Sequence, residues 1–245
     1  MHANMTFSTA GRILRQLSHD HRTLGLLFVV PCVLLGLLAW IYSGTPRIFD
    51  AFGAPFLGIF PFIVMFLVTS IATLRERSSG TLERLLALPI GKLDLLLGYG
   101  LAFGGIACMQ ALITSTVAVR LYGLDVAGPQ WFLIVVAVAN ALLGTALGLL
   151  VSAFARTEFQ AVQFMPAFIF PQLLLGGLLL PLEQLPAVLE AVARVLPLTY
   201  AIDAMQRVTM EASLSGAALR DVAVVLGFVV AAVLLGAATL RRRSR

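Results

Sequence analysis

The sequence predicts an all-α membrane protein with six transmembrane helices and both termini in the cytoplasm. Three observations predict it. First, 60% of the 245 residues are hydrophobic and 12% are charged, about half the charge of a typical soluble domain. A water-soluble fold of this size has no interior large enough to hide that much apolar surface. Second, six intervals contain no Asp, Glu, Lys or Arg: 23–46, 51–74, 95–119, 126–155, 159–182 and 222–240. Each can supply the roughly 20 residues that cross a bilayer as a helix. Hydrocarbon cannot satisfy free backbone groups, so such runs are helical, and the alternation of a β-barrel is absent. Third, an N-in, C-in arrangement puts 12 of the 17 Lys and Arg residues in cytoplasmic segments and leaves five outside (Arg47, Arg120, Arg194, Arg207 and Arg220), as the positive-inside bias requires.

The elements follow in chain order. Residues 1–22 place Phe7, Ala10, Leu14 and Leu17 at helical spacing with Arg12, Arg15 and Arg22 between them, an amphipathic helix for the cytoplasmic interface. The first apolar run starts late and shows no small-residue cleavage site, so no cleaved signal peptide is expected. Spans are predicted at about 24–43, 53–74, 95–119, 131–154, 162–180 and 222–240. Span 4 carries Gly144-x-x-x-Gly148, a pattern that permits close helix packing. The segment 183–221 holds eight charges and two prolines and is not a simple span. Its stripe of Leu185, Val188, Leu189, Val192 and Leu196, with Glu190 and Arg194 spaced to pair, predicts short helical pieces. Over 181–203 these form a broken hairpin re-entering the outer leaflet, where irregular backbone needs a protein or cavity cover. The whole chain, 1–245, reads as one transmembrane domain.

Several functions are disfavoured. No phosphate-binding Gly-x-x-x-x-Gly-Lys-Ser/Thr loop occurs. No ionisable residue lies deep in a span, where ion-coupled pumps place one. No catalytic triad, metal-ligand set or cofactor motif is evident, and His2, His19 and His21 read as solvated residues. Cys32 and Cys108 fall in apolar runs and read as small buried hydrophobes. The chain is therefore not expected to be an enzyme or to carry a metal or cofactor. The +5 net charge is a cytoplasmic-face feature; its Arg241–Arg245 tail suits anionic lipid, and nucleic acid is not an expected partner. The mild polar groups in the spans, Gln110, Asn140, Gln163 and Gln172 among them, either face a substrate path or tie helices together.

Two connections stand apart. Between spans 2 and 3 the chain reads Glu76-Arg-Ser-Ser-Gly80-Thr-Leu-Glu83-Arg-Leu-Leu-Ala-Leu-Pro89, with Leu82, Leu85 and Leu86 on one helical face; between spans 5 and 6 it reads Gly177…Pro181…Leu185-Pro186…Pro197-Leu-Thr-Tyr200. A helix as short as the first needs a surface to pack on. The first resembles the coupling-helix pattern E-R-x-x-G-T-L-E-x-L-L-x-x-P of type 2 ABC transporter permeases, and the second resembles that family's signature between its last two spans. With the interfacial helix and six spans, the resemblance covers nearly the whole chain and is nearest in style to small drug- and antibiotic-exporter permeases.

The resemblance implies that residues 75–89, within a coupling segment 75–92, dock on a separate ATP-binding subunit, with Arg75, Glu76, Arg77, Gly80, Thr81, Leu82, Glu83, Leu86 and Pro89 at or near the coupling contact. It implies an outer re-entrant gate marked by Pro181, Pro186, Pro197 and Tyr200. It also implies a second permease chain, ATP and Mg held by the partner subunit, a small hydrophobic or amphiphilic substrate (drug, antibiotic or lipid), and a place in a bacterial or archaeal cytoplasmic membrane. On the residues alone, a secondary transporter or channel not powered by ATP, or a membrane assembly protein, stays open.

Overall fold

The computed structural model describes residues 3–80 and 92–239. Among these are nine α-helices, one 3-10 turn and no strand. The helices are α1 (Ala3–Ser18), α2 (His21–Ile41), α3 (Pro46–Ser78), α4 (Lys92–Arg120), α5 (Gln130–Val151), α6 (Glu158–Leu175), α7 (Ala187–Ala193), α8 (Pro197–Met210) and α9 (Gly216–Thr239). Helices α2, α3, α5, α9 and the part Leu97–Arg120 of α4 are long and apolar enough to cross a membrane.

The expected span over 162–180 differs from what is observed. Helix α6 has 18 residues, contains Pro166 and Pro171, and stops at Leu175; it is not among the five. The stop is local. Gly177 sits at φ +84°, in the left-handed region, where glycine ends helices without steric cost. The Cβ of any other residue at Gly176 would collide with the Gln172 carbonyl oxygen.

Helix α3 is the spine. It is 33 residues long and buries residues along its length, from Phe49 to Glu76. Its main partner is α5, and the close approach is made by the glycines of span 4. A Cβ on Gly144 would overlap the Phe62 carbonyl oxygen, and one on Gly148 would come within 2.6 Å of the Phe66 oxygen. Two large apolar cores follow among the described residues, beside a small one of Leu74, Ala155 and Ala161. One gathers Leu57, Phe62, Phe132, Leu133, Leu198 and Met205 where α3, α5 and α8 meet. The other gathers Ile13, Leu17, Leu27, Met65, Tyr99 and Phe103 beneath α1. Helix α2 keeps Leu26, Val29, Val33, Leu37 and Trp40 exposed, an apolar outer stripe suited to lipid or to another helix.

Helix α1 is helical as expected, and the residues of its apolar stripe divide between two sides. Ala10, Ile13 and Leu17 are buried together with Thr6 and Thr9, whereas Phe7 and Leu14 are exposed. The reason is a glycine on α4. At Gly98 a Cβ would lie 2.7 Å from the Thr9 Cβ and 3.0 Å from the Thr6 oxygen, so α1 seats its small threonines there and turns Phe7 outward.

Candidate functional site

The two unusual connections lie at opposite ends of α3, and each has its own chemistry. At the α1 end, α3 carries Arg75, Glu76 and Arg77 in its last turns and closes at Gly80, whose φ of +74° ends the helix. The Ser79 amide donates to the Arg75 carbonyl and the Gly80 amide to the Arg77 carbonyl. The chain therefore turns at Ser79-Gly80. Thr81, Leu82, Glu83, Leu86 and Pro89 lie outside the described residues.

Glu76 points inward and is 8% exposed. Arg12 of α1 grips both carboxylate oxygens, at 3.0 and 3.1 Å, and the Tyr99 hydroxyl of α4 donates to the same carboxylate. Three helices thus meet on one buried acid. A carboxylate at this depth needs such partners, because desolvation disfavours its charge and a facing guanidinium with added hydrogen bonds restores it. Arg75 turns the other way and holds Glu158, the first residue of α6, through two hydrogen bonds of 2.7 and 3.0 Å. Those bonds hold the Glu158 carboxyl below its ordinary value. Arg77 is half-buried.

Local sequence sets the helices that frame this cluster. The Asp20 side chain caps α2, accepting from the Thr23 amide at 3.1 Å and the Thr23 hydroxyl at 2.6 Å, which lowers its pKa. Thr157 caps α6 by accepting from the Gln160 amide, while the Gln160 side chain accepts from the Arg156 amide, close to the reciprocal pattern of a capping box.

At the α8 end the prolines begin helices. Pro181 precedes the 3-10 turn Leu182–Gln184, Pro186 precedes α7, and Pro197 is the first residue of α8; proline's fixed φ suits that position. Each remaining polar group of the signature then closes a helix end. Thr199 donates to the Ala193 carbonyl at 2.8 Å and Tyr200 to the Arg194 carbonyl at 2.6 Å, both at the end of α7. Gln172 of α6 accepts from the Leu198 amide at 3.2 Å. Glu190 of α7 and Arg194, which caps its end, pair as their spacing predicts. Helix α8 runs beyond the expected 181–203 segment to Met210 and buries Leu198, Ile202, Met205 and Val208.

The four polar candidates from the spans fall in different places. Gln110 is buried and donates to the Leu27 carbonyl at 2.7 Å, tying α4 to α2. Gln172 is buried and ties α6 to α8. Asn140 is buried beside Gly58 of α3. Gln163 is exposed on α6.

Arg12, Tyr99 and Glu158 complete the cluster at the α1 end and were not singled out by sequence reasoning for that role. Tyr99 alone carries a usable signal, a hydroxyl inside an otherwise apolar run.

Residues 7–210 match the model of the ABC-2 type transporter family. Among curated proteins the chain is similar to the probable multidrug ABC transporter permease YbhS of Escherichia coli, 28% identical over 57% of this chain and 37% of that protein. It is also similar to the probable multidrug ABC transporter permease YbhR of the same organism, 29% identical over 61% of this chain and 40% of that protein. ABC transporter G family member 20 of Dictyostelium discoideum is 28% identical over 59% of this chain and 20% of its own length. The chain thus aligns with two fifths or less of each of these relatives.

Proposed function

The chain belongs to the ABC-2 type transporter family, and on that premise we propose that it is the membrane permease subunit of an ATP-driven exporter. The working unit contains two permease chains and two ATP-binding subunits, which hold ATP and Mg. Six spans cross the cytoplasmic membrane of a bacterium or archaeon with both termini inside, α6 being the fifth. The cargo is a small hydrophobic or amphiphilic molecule, in keeping with the apolar helices and the multidrug relatives.

The family match over residues 7–210 carries this reading. The α1 end gives it a mechanical form. Residues 75–89 receive the ATP-binding subunit, with Arg75, Arg77, Gly80, Thr81, Leu82, Glu83, Leu86 and Pro89 at or near the contact. Glu76 takes a different part: it is buried and bound to Arg12 and Tyr99, so it fastens α1, α3 and α4 into one unit that moves when the partner pushes on the turn. At the other end, Pro181, Pro186, Pro197 and Tyr200 shape the outer gate.

The test is purification of the chain from its native membrane together with any ATP-binding subunit that it carries, followed by reconstitution in liposomes. The expected outcome is a stable complex that accumulates hydrophobic dye only with ATP and Mg, and that Glu83→Ala or Gly80→Pro dissociates. Transport driven by an ion gradient without any ATPase would overturn the proposal.

A further inference from the structure

Helix α2 contains Pro31, and a proline has no N–H to give the carbonyl four residues back. In α2 that carbonyl belongs to Leu27. It is the carbonyl that Gln110 of α4 holds, at 2.7 Å. The Gln110 side chain, 0% exposed, therefore supplies from a neighbouring helix the donor that the proline removes. Membrane helices tolerate an internal proline in this way. The other end of the same amide, Oε1, is buried with no hydrogen-bond partner among the described residues. Release of the carbonyl thus takes one hydrogen bond from Gln110, not two.

The two halves of α2 are held unequally. Past Pro31, the Tyr122 hydroxyl donates to the Cys32 carbonyl at 3.0 Å. Gly36 lies so near that ring that a Cβ there would stand 2.8 Å from its oxygen. Before Pro31, the bond from Gln110 is the one hydrogen bond that another helix gives to α2 among the described residues. A Cβ on Gly25 would meet nothing within 4 Å. A cavity of about 430 Å³ between α1, α2, α3 and α4 takes its described α2 wall from this half alone, from Thr23, Leu26, Leu27 and Val30. Helices bend at proline and glycine, and here the two flank the stretch that Gln110 holds. We propose that residues 26–30 are a movable wall of this cavity, bending at Gly25 and Pro31, and that Gln110 is the positioning residue that keeps it shut. When the amide lets go, the wall bows away from α4 and the cavity widens between α2 and α3. Without a new partner the freed Leu27 carbonyl would stand unsatisfied among apolar side chains, which would hold the wall closed. A space of this size, with Asp20 and Arg75 in its lining, admits water to replace the lost bond. The device lies in this chain, so it works without an ATP-binding subunit and does not depend on the exporter reading.

The test uses the full chain in phosphatidylcholine nanodiscs, with Cys32→Ser and Cys108→Ser removing the native thiols. Distances between spin labels are measured by electron resonance. Labels on Val29→Cys and Gly105→Cys follow the wall, and labels on Leu37→Cys and Gly105→Cys follow the fixed half. Val29 and Leu37 are exposed, and a Cβ on Gly105 meets nothing within 4 Å. Gln110→Leu is expected to raise the population of longer 29–105 distances about fivefold, the scale of one hydrogen bond between membrane helices. The 37–105 distances should stay as they are. Gln110→Met serves if the leucine variant does not fold. Pro31→Ala returns the missing N–H, so in that background the longer 29–105 population should shrink and Gln110→Leu should no longer change it. That loss of effect marks a role at the proline, because an independent structural tie would cost the same in both backgrounds. Unchanged 29–105 distances in the glutamine variants, equal shifts in both label pairs, or an effect of Gln110→Leu that persists beside Pro31→Ala would each overturn the proposal.

Discussion

The two ends of α3 are held by different mixtures of contact. At the α1 end the fastenings are side chain to side chain and distant in sequence: Arg12 with Glu76, Tyr99 with Glu76, and Arg75 with Glu158. At the α8 end many are side chain to backbone or backbone to backbone (Gln172 to Leu198, Thr199 to Ala193, Tyr200 to Arg194, and the 127–128 amides to the 208–209 carbonyls), and the ionic ones centre on Arg207 of α8, which faces Asp203, Glu211 and the buried Asp221 of α9. A backbone group is fixed by its helix, so a contact to it fixes one geometry. A long ionic side chain can keep its partner while the helices shift by an ångström or more. The difference gives the first end a larger share of contacts that tolerate a shift between helices and the second a larger share that fix one geometry.

The comparison can be broken at its middle. Gly144→Ala places a Cβ on the Phe62 carbonyl oxygen and forces α3 from α5, separating the two ends. We expect a loss of about 3 kcal/mol, at the upper side of overpacking costs, seen as a large fall in melting temperature in detergent. Gly227→Ala, which meets nothing within 4 Å, should leave the melting temperature nearly unchanged.

The ends themselves give a smaller and more pointed contrast. Glu76→Ala strands Arg12 and the Tyr99 hydroxyl and should cost about 2 kcal/mol. That is less than a fully buried pair would lose, because the Arg12 side chain is 35% exposed. Gln172→Ala removes one cap and should cost about 1 kcal/mol. Hydrogen exchange should locate the first loss in α1 and the second at the start of α8. Exchange spread evenly over both ends in either variant would refute the division.

The smallest effect belongs to Arg75 and Glu158, whose side chains are 62% and 50% exposed. Arg75→Ala should cost under about 1 kcal/mol and less still in high salt. Arg75 lowers the Glu158 carboxyl below its ordinary value of about 4.3. The pair's contribution is therefore complete above that value and fades as pH falls through the lowered one. A melting series against pH should show this slope in the native chain and not in Glu158→Gln.

The helices were largely legible in the sequence because charge-free runs mark them and prolines 181, 186 and 197 mark the starts of the short pieces. The end of α6 was missed by five residues. Hydropathy continues through Leu178, Leu179 and Leu180, and only the left-handed Gly177 stops the helix. The site was less legible. Glu76 looked like part of a surface motif because its partners are 64 and 23 residues away, and no local pattern announces a distant guanidinium. Gln110 and Gln172 in an apolar run suit a pathway and a helix tie equally well, and only the carbonyl or amide they face decides between them.

Helix α3 has a consequence for thickness. Its 33 residues reach about 50 Å, while α2, α5 and α9, with 21 to 24 residues, are close to the roughly 30 Å of a bilayer's hydrocarbon. A strut this long, beside the 29-residue α4 and three shorter helices, must lean or overhang. A thicker membrane would draw the strut upright and a thinner one would lay it over, so lipid chain length becomes a dial on the angle at which the α1 end is presented.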